Sequence, residues 1–368
     1  MKFVFVSYNY DPAYDSPDTW FIRIKGYMGA LTALAKNNEV VRVKQINYEG
    51  EREYNGVLFR FVNYGDAKLR FPRKLHRLIR SMNADVVVVH GLQNPLQVIQ
   101  LRFQLPQKTK IIVQNHAEEP ATGLKKQLQR IADKYVDAYL FASTAMGIDW
   151  VKRGNLRSPE KIHEVMEISS VFYPIDREEA IKKTGASGGP VFLFVGRLIQ
   201  KKDPLNVVNA FLKFAAINPA ARLYIFYHIE DLLPQITALI NNSPYGKNIT
   251  LMGKVPNDDM LYWYNSADFI IAGSFHEGSG TAVCEALSCG CVPILTDIFS
   301  FRMMTNNGDF GILYEPGNEA ELLEALKQTQ HMNVPEQRAK AIAWYQSNLS
   351  FEAIAKQMED IAAALLGK

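Results

Sequence analysis

Residues 191–204 read VFLFVGRLIQKKDP, and their interpretation decides the architecture of the chain. Five apolar residues, Val191 to Val195, have the length and the β-branched and aromatic character of a strand buried on both faces. Gly196 ends the run and Arg197 follows at once, so the arginine emerges at the carboxyl end of the strand. Lys201 and Lys202 then precede a helix with Pro204 near its first turn. Strand, short polar loop and helix, in that order, make the unit from which parallel sheets are built.

Working outward, the unit recurs. Toward the carboxyl end, strand-like runs at 223–226, 249–252, 269–272, 292–295 and 311–314 alternate with helical stretches at 204–216, 232–241, 258–265, 281–288 and 319–329. Toward the amino end, runs at 2–7, 40–43, 85–89, 110–113 and 139–141 are separated by amphipathic stretches such as 20–36, 73–82 and 122–136. The expectation is an α/β chain of two doubly wound, Rossmann-like parallel-sheet domains facing a cleft. Residues 1–173 form the first domain and 174–350 the second, with a turn-rich connection at 185–190. The last helical stretch, 351–366, either caps its own domain or crosses back to the first. Ligands of such sheets bind at the carboxyl ends of the strands.

Bulk composition narrows the function. With 48% hydrophobic and 21% charged residues over 368 positions, this is the composition of a globular protein. Forty-one Lys and Arg against 38 Asp and Glu give a net charge of +3, too weak by itself to argue for nucleic acid. The opening MKFVFVSYNYDP has too short an apolar run for a signal peptide, and no run reaches the ~20 residues of a membrane span. A cytoplasmic protein, with peripheral membrane contact as an option, is the expectation. The three cysteines, Cys284, Cys289 and Cys291, offer no metal-ligand spacing and read as buried thiols.

Four motifs carry chemistry. Arg197 and Lys202 can clamp a diphosphate, the arginine as a planar fork and the lysine as a point charge; a solvated loop pair is the competing reading. The second motif is FHEGSGTAVCEALSCGCVPILTD, residues 275–297, with Glu277 and Glu285 around Gly278, Ser279, Gly280 and Thr281. At about 100° per residue, eight positions leave the glutamates about 80° apart, so they do not share a helix face. Glu277 therefore belongs to a loop and Glu285 to the helix behind it, contacting different parts of one ligand. The polar turn supplies backbone N–H groups at a helix entry. Third, His116 ends the strand at 110–113 and can face a ligand; His90, after DVVVV, has the same placement with weaker support. Fourth, residues 68–80, from Lys68 to Arg80, form a basic amphipathic stretch that suits an anionic membrane surface, with a packed helix carrying a solvated basic face as the favoured competing reading.

Together these segments resemble the retaining glycosyltransferases of GT-B fold, the family 4 type also described as glycosyl transferases group 1. Gly196, Arg197, Leu198 and Lys202 resemble the family's G-R-L-x-x-x-K segment. Glu277 to Glu285 fits its E-x7-E motif, and Glu285-Ala286-Leu287 with Gly290, Val292, Pro293 and Ile294 resembles the segment that continues it. The likeness covers about residues 192–326; the first domain matches only in architecture and in His116. The resemblance implies transfer of a hexose from a nucleotide-diphosphate sugar to an acceptor hydroxyl, with retention at the anomeric carbon and without metal or other cofactor. The acceptor would be a sugar, a lipid-linked molecule or a small molecule, in bacterial glycan or glycolipid synthesis. It further implies that Arg197 and Lys202 hold the diphosphate, that Glu285 binds the ribose, and that Glu277 with the amides of Gly278 to Thr281 holds the transferred sugar. His116 would touch that sugar too.

The chain departs from the family at Asp15-Ser16-Pro17-Asp18, where paired glycines are common, at Tyr227-His228, at residues 167–171 and at Ser279. A nucleotide-sugar epimerase or hydrolase of the same fold, or a non-catalytic carbohydrate- or nucleotide-binding protein, are the alternatives. Donor base and sugar, acceptor and oligomeric state are open at this level.

Overall fold

The computed structural model describes residues 1–65, 70–116 and 118–368. The chain divides into two compact units, Met1–Ser169 with Ser350–Lys368, and Ser170–Leu349. The second unit starts earlier than the expected residue 174 because Ser170 is tied into it. Ser288 Oγ bonds the Ser170 hydroxyl at 2.9 Å, and Tyr345 donates to the Ser170 carbonyl at 3.1 Å.

Eight strands form the first sheet: β1 (Lys2–Asp11), β2 (Glu39–Ile46), β3 (Gly50–Tyr54), β4 (Val57–Val62), β5 (Val86–His90), β6 (Lys110–Gln114), β7 (Ala138–Phe141) and β8 (Ile162–Glu164). Their order is β3-β4-β2-β1-β5-β6-β7-β8, and every pairing is parallel except β3 with β4. Continuous apolar strands such as the buried Val86–His90 fill the centre, as expected of a sheet covered on both faces. The β3–β4 hairpin was not expected from apolar periodicity. Its signal is the Asn55-Gly56 turn, where both residues take positive φ (49° and 78°), the conformation a two-residue hairpin loop needs. β3 carries Glu51, Arg52 and Glu53, all exposed; such charges blunt an edge strand.

The stretch expected as one helix over 20–36 is two, Pro17–Arg23 and Lys25–Ala35, broken at Ile24 (φ −105°, ψ 15°). Ser16 caps the first by accepting from the Thr19 N–H at 3.4 Å, with Pro17 at the entry. The unusual Asp15-Ser16-Pro17-Asp18 is therefore a helix start. The carboxyl-terminal helix, Phe351–Leu366, groups with the first unit and packs on Lys25–Ala35. Gly29 leaves room for the Phe351 ring, and Asn38 donates to Glu359 at 2.9 Å. The basic stretch becomes the helix Arg73–Ser81, with Lys68 outside the described residues. Leu75, His76 and Ile79 face the core, and Tyr8 bonds His76 at 2.9 Å; Arg73, Lys74, Arg77 and Arg80 are solvated.

The second sheet has β9 (Val191–Val195), β10 (Arg222–Phe226), β11 (Ile249–Gly253), β12 (Phe269–Ala272), β13 (Val292–Thr296) and β14 (Ile312–Tyr314). Their order, β11-β10-β9-β12-β13-β14, is parallel throughout. Phe192, Phe211, Phe214 and Phe269 pack ring to ring beneath it, fully buried, each worth about 1.5–3 kcal/mol by transfer. A helix at Arg177–Thr184, not foreseen in the connection, is capped by Asp176 and closed by Gly185 at φ 68°. In both sheets the strand order reverses at one place, between β1 and β5 and between β9 and β12. Those are the switch points where such folds bind ligands.

Candidate active site

In the second unit two loops meet at the switch point. After β9 come Gly196 and Arg197, then a turn at Gln200–Lys202, and Asp203 in the left-handed region (φ 48°) before the helix Pro204–Ile217. After β12 comes Gly273, where a Cβ would sit 3.2 Å from the Lys202 carbonyl and 3.3 Å from that of Asp203. Glycine therefore lets the loops touch, and Phe275 N–H donates to the Lys201 carbonyl at 3.1 Å. The result is an ion pair between Lys202 Nζ and Glu277 Oε1, with side chains only 18% and 16% exposed. Ser274 Oγ donates to the same carboxylate oxygen at 2.7 Å.

Beyond Glu277 the chain turns through Gly278, Ser279 and Gly280 into the helix Thr281–Ser288. Gly280 has φ 54°, and a Cβ there would meet the Phe301 ring at 2.9 Å, so the helix entry demands glycine. Glu285 lies in this helix and accepts from Tyr264 Oη at 2.9 Å. Burial pushes its carboxyl up to about 7, against which the Tyr264 bond works. Arg197 is exposed, and its guanidinium forms no ion pair among the described residues. The Gly196 N–H is spent on the Phe226 carbonyl at 3.0 Å, which continues the sheet. Cys284, Cys289 and Cys291 are buried, and none is in a disulfide. Burial raises the Cys289 thiol to about 12, and the Cys291 thiol donates to the Tyr264 carbonyl at 2.8 Å. These are packing residues. Among the described residues no group of three or more His, Cys, Asp or Glu is placed to hold a metal ion.

The first unit carries His116 just past β6. Its Nδ1 bonds the Glu167 carboxylate, and its Nε2 meets His90 Nδ1 at 2.7 Å. Tyr27 Oη in turn meets His90 Nε2 at 2.9 Å. Both ring nitrogens of His116 are thus occupied, and a sugar contact through the ring requires one bond to exchange. Burial, then the charges of Arg42, His116 and Lys44, hold His90 well below the ordinary imidazole range. A cavity of ≈ 520 Å³ opens beside these histidines, its wall including Ser7, Arg42, Lys44, Glu118 and Lys125. Arg42 and Lys44 were not singled out by motif. Their signal was available: in VVRVK the charges alternate with Val41 and Val43 on a strand expected to be buried on both faces.

The family described as Glycosyl transferases group 1 matches this chain over residues 176–343, all within the second unit. Among curated relatives, the Escherichia coli O-antigen chain mannosyltransferase B is 29% identical over 104 residues, 26% of this chain and 27% of that protein. The D-inositol 3-phosphate glycosyltransferase of Geodermatophilus obscurus is 25% identical over 165 residues, 42% of this chain and 37% of that protein. The chain thus spans well under two thirds of the length of these relatives. Solved structures align along its whole length. Sucrose-phosphate synthase from Thermosynechococcus elongatus gives a TM-score of 0.71 at 16% identity, covering 100% of this chain and 99% of that one. Anabaena HepE in complex with UDP gives 0.75 at 12% identity, covering 99% and 100%. The chain therefore has the GT-B fold, and residues 176–343 match the family described as Glycosyl transferases group 1.

Proposed function

We propose that the protein transfers a hexose from a nucleotide-diphosphate sugar to an acceptor hydroxyl, with retention of configuration and without metal. The bond from the anomeric carbon to the diphosphate breaks, its electrons leaving with the phosphate. The acceptor oxygen bonds the same face of that carbon, and its proton passes to the departing diphosphate. Lys202 and Arg197 offset the charge that builds on the leaving group. Glu285 accepts from the ribose hydroxyls. Glu277 and the amides of Gly278 to Thr281 hold hydroxyls of the sugar, and His116 is assigned to the sugar by the family pattern.

One observation carries this reading: Lys202, Glu277 and the Thr281–Ser288 helix entry converge at the carboxyl ends of β9 and β12. The HepE neighbour, solved with UDP, supports a nucleoside diphosphate as the donor's leaving group. The glycosyltransferases among the relatives support a bacterial glycan, glycolipid or phosphorylated small molecule as acceptor. The test is product analysis with a panel of nucleotide sugars, with and without acceptor. Acceptor-dependent release of nucleoside diphosphate with an α-configured product from an α-configured donor is expected. Turnover without acceptor assigns an epimerase or hydrolase instead, and binding without turnover assigns a lectin-like role.

A cytoplasmic place with peripheral membrane contact belongs to the same reading. No helix among the described residues is long and apolar enough to cross a membrane. The apolar side of Arg73–Ser81 is used inside its own unit, so contact would fall to its solvated cations and to Phe71, 58% exposed. Flotation with anionic but not with neutral vesicles, abolished by Arg73→Glu with Arg77→Glu, is the expected result.

A further inference from the structure

Arg42 is the least expected residue of the first unit. It sits on β2 beside the switch point, paired across to Phe5 of β1, and is 7% exposed. Its Nε and Nη1 are buried and find no hydrogen-bond partner among the described residues. Among the described residues no carboxylate pairs with it; its charge bears on His90 and Lys44, and its ring contact is with Tyr27, whose centroid lies 5.6 Å from the guanidinium carbon. Such a contact is worth about 0.5–2 kcal/mol, against a desolvation cost of several kcal/mol for a buried ion. The other charged groups around the cavity have hydrogen-bond or ion-pair partners. Lys44 pairs with Asp11, and Glu167 with His116. Glu118 accepts from the His116 N–H at 2.6 Å and from Asn115 Nδ2 at 2.9 Å. Among the described residues Arg42 and the exposed Lys125 have no ion-pair partner on the wall, facing one carboxylate, Glu118, which is held by neutral donors and whose pKa burial raises.

Ser7 Oγ, on the same wall, belongs to a residue 5% exposed and is likewise buried without a hydrogen-bond partner among the described residues. Asn9, Gln93 and Asn94 add donors and acceptors. At ≈ 520 Å³ the cavity falls in the range of about 300–1,000 Å³ that holds small molecules.

We infer that this cavity binds the anionic group of a sugar or other polyol, a phosphate or a carboxylate, with Arg42 as its counter-charge and Ser7, Asn9, Gln93 and Asn94 for hydroxyls. Only the naming of this ligand as the acceptor rests on the transfer reading above; the anion site itself does not. A planar guanidinium matches both oxyanions by paired hydrogen bonds. Lys125 at the rim attracts the anion without being needed for the fold.

The experiment is calorimetric titration of the full chain with glucose 6-phosphate, glucuronate, inorganic phosphate and glucose. An Arg197→Ala, Lys202→Ala background removes the two cations assigned to the donor diphosphate. Expected is binding of at least one anion and none of glucose at the same concentration. Arg42→Gln should weaken that anion on the order of 10- to 100-fold, and Lys125→Ala by a smaller factor. A phosphate-only response makes the group a phosphate, and a glucuronate response makes it a carboxylate. Wild-type anion affinity in Arg42→Gln, or glucose binding as tightly as its 6-phosphate, overturns the inference. If Arg42→Gln does not fold, Lys125→Ala decides: unchanged affinity there counts against the site. Nucleoside diphosphate binding to the wild-type chain separates the two proposals. If it is present while anions fail, the transfer reading stands and this inference falls; if it is absent while anions bind, the reverse holds.

Discussion

The two sheets end in opposite electrostatic arrangements. At the β9–β12 switch point the partly buried cation, Lys202, already has a carboxylate, Glu277, and Arg197 is in solvent without an ion pair among the described residues. At the β1–β5 switch point the buried cation, Arg42, has no carboxylate partner among the described residues. The first arrangement lets a lysine exchange one anion for another at modest cost. The second keeps a charge out of water without a partner, and such a group costs stability until an anion arrives.

That contrast can be broken at several points. The largest effect is on turnover. Lys202→Ala and Arg197→Ala should each lower kcat by on the order of 10²-fold or more, as loss of a charge-stabilising donor commonly does. Wild-type rates in both would sink the diphosphate assignment. Next is the stability of the ligand-free chain. Lys202→Met leaves Glu277 without its cation, though Ser274 still donates to it, and should cost on the order of 3 kcal/mol in chemical denaturation. Arg42→Met removes an unpaired charge and should act in the opposite sense, stabilising by about 1–2 kcal/mol. Equal signs for the two variants would mean that the difference between the sites is only apparent.

The smallest effect is a pH dependence at Glu285. Its carboxyl is raised to about 7 in the fold, so the folded chain holds a proton that the unfolded chain has already released. Glu285 therefore favours the fold at low pH and loses that contribution as pH rises from 4.5 to about 7. Glu285→Gln should melt near the wild type at about pH 5 and above it at about pH 8. Nucleotide affinity should rise through about pH 7 in the wild type, as the carboxylate forms, and stay flat in Glu285→Gln. A wild-type pH profile in that variant would remove Glu285 from the ribose.

The architecture was readable because parallel strands buried on both faces are nearly all apolar. The runs at 86–90 and 191–195 need no context to be recognised. The β3–β4 hairpin escaped because β3 is charged and exposed, leaving only Asn55-Gly56 to mark it. The break at Ile24 escaped because the apolar spacing continues through it. Among site residues, Lys202, Glu277 and Glu285 were legible because their motif is local. The engagement of both His116 nitrogens was not, since His90 and Glu167 lie 26 and 51 positions away.

By itself the sequence determined two parallel sheets, the loops that carry Arg197, Lys202 and Glu277, and the helix that carries Glu285. These follow from short-range patterns of apolar residues, glycines and prolines. Tertiary structure alone decided that Lys202 rests on Glu277 and that the carboxyl-terminal helix packs with the first unit. It alone also left Arg42 buried without a carboxylate partner among the described residues. The reason is physical: a charge's energy depends on how deeply it is buried and on what lies within a few ångströms of it, and chain order does not state either.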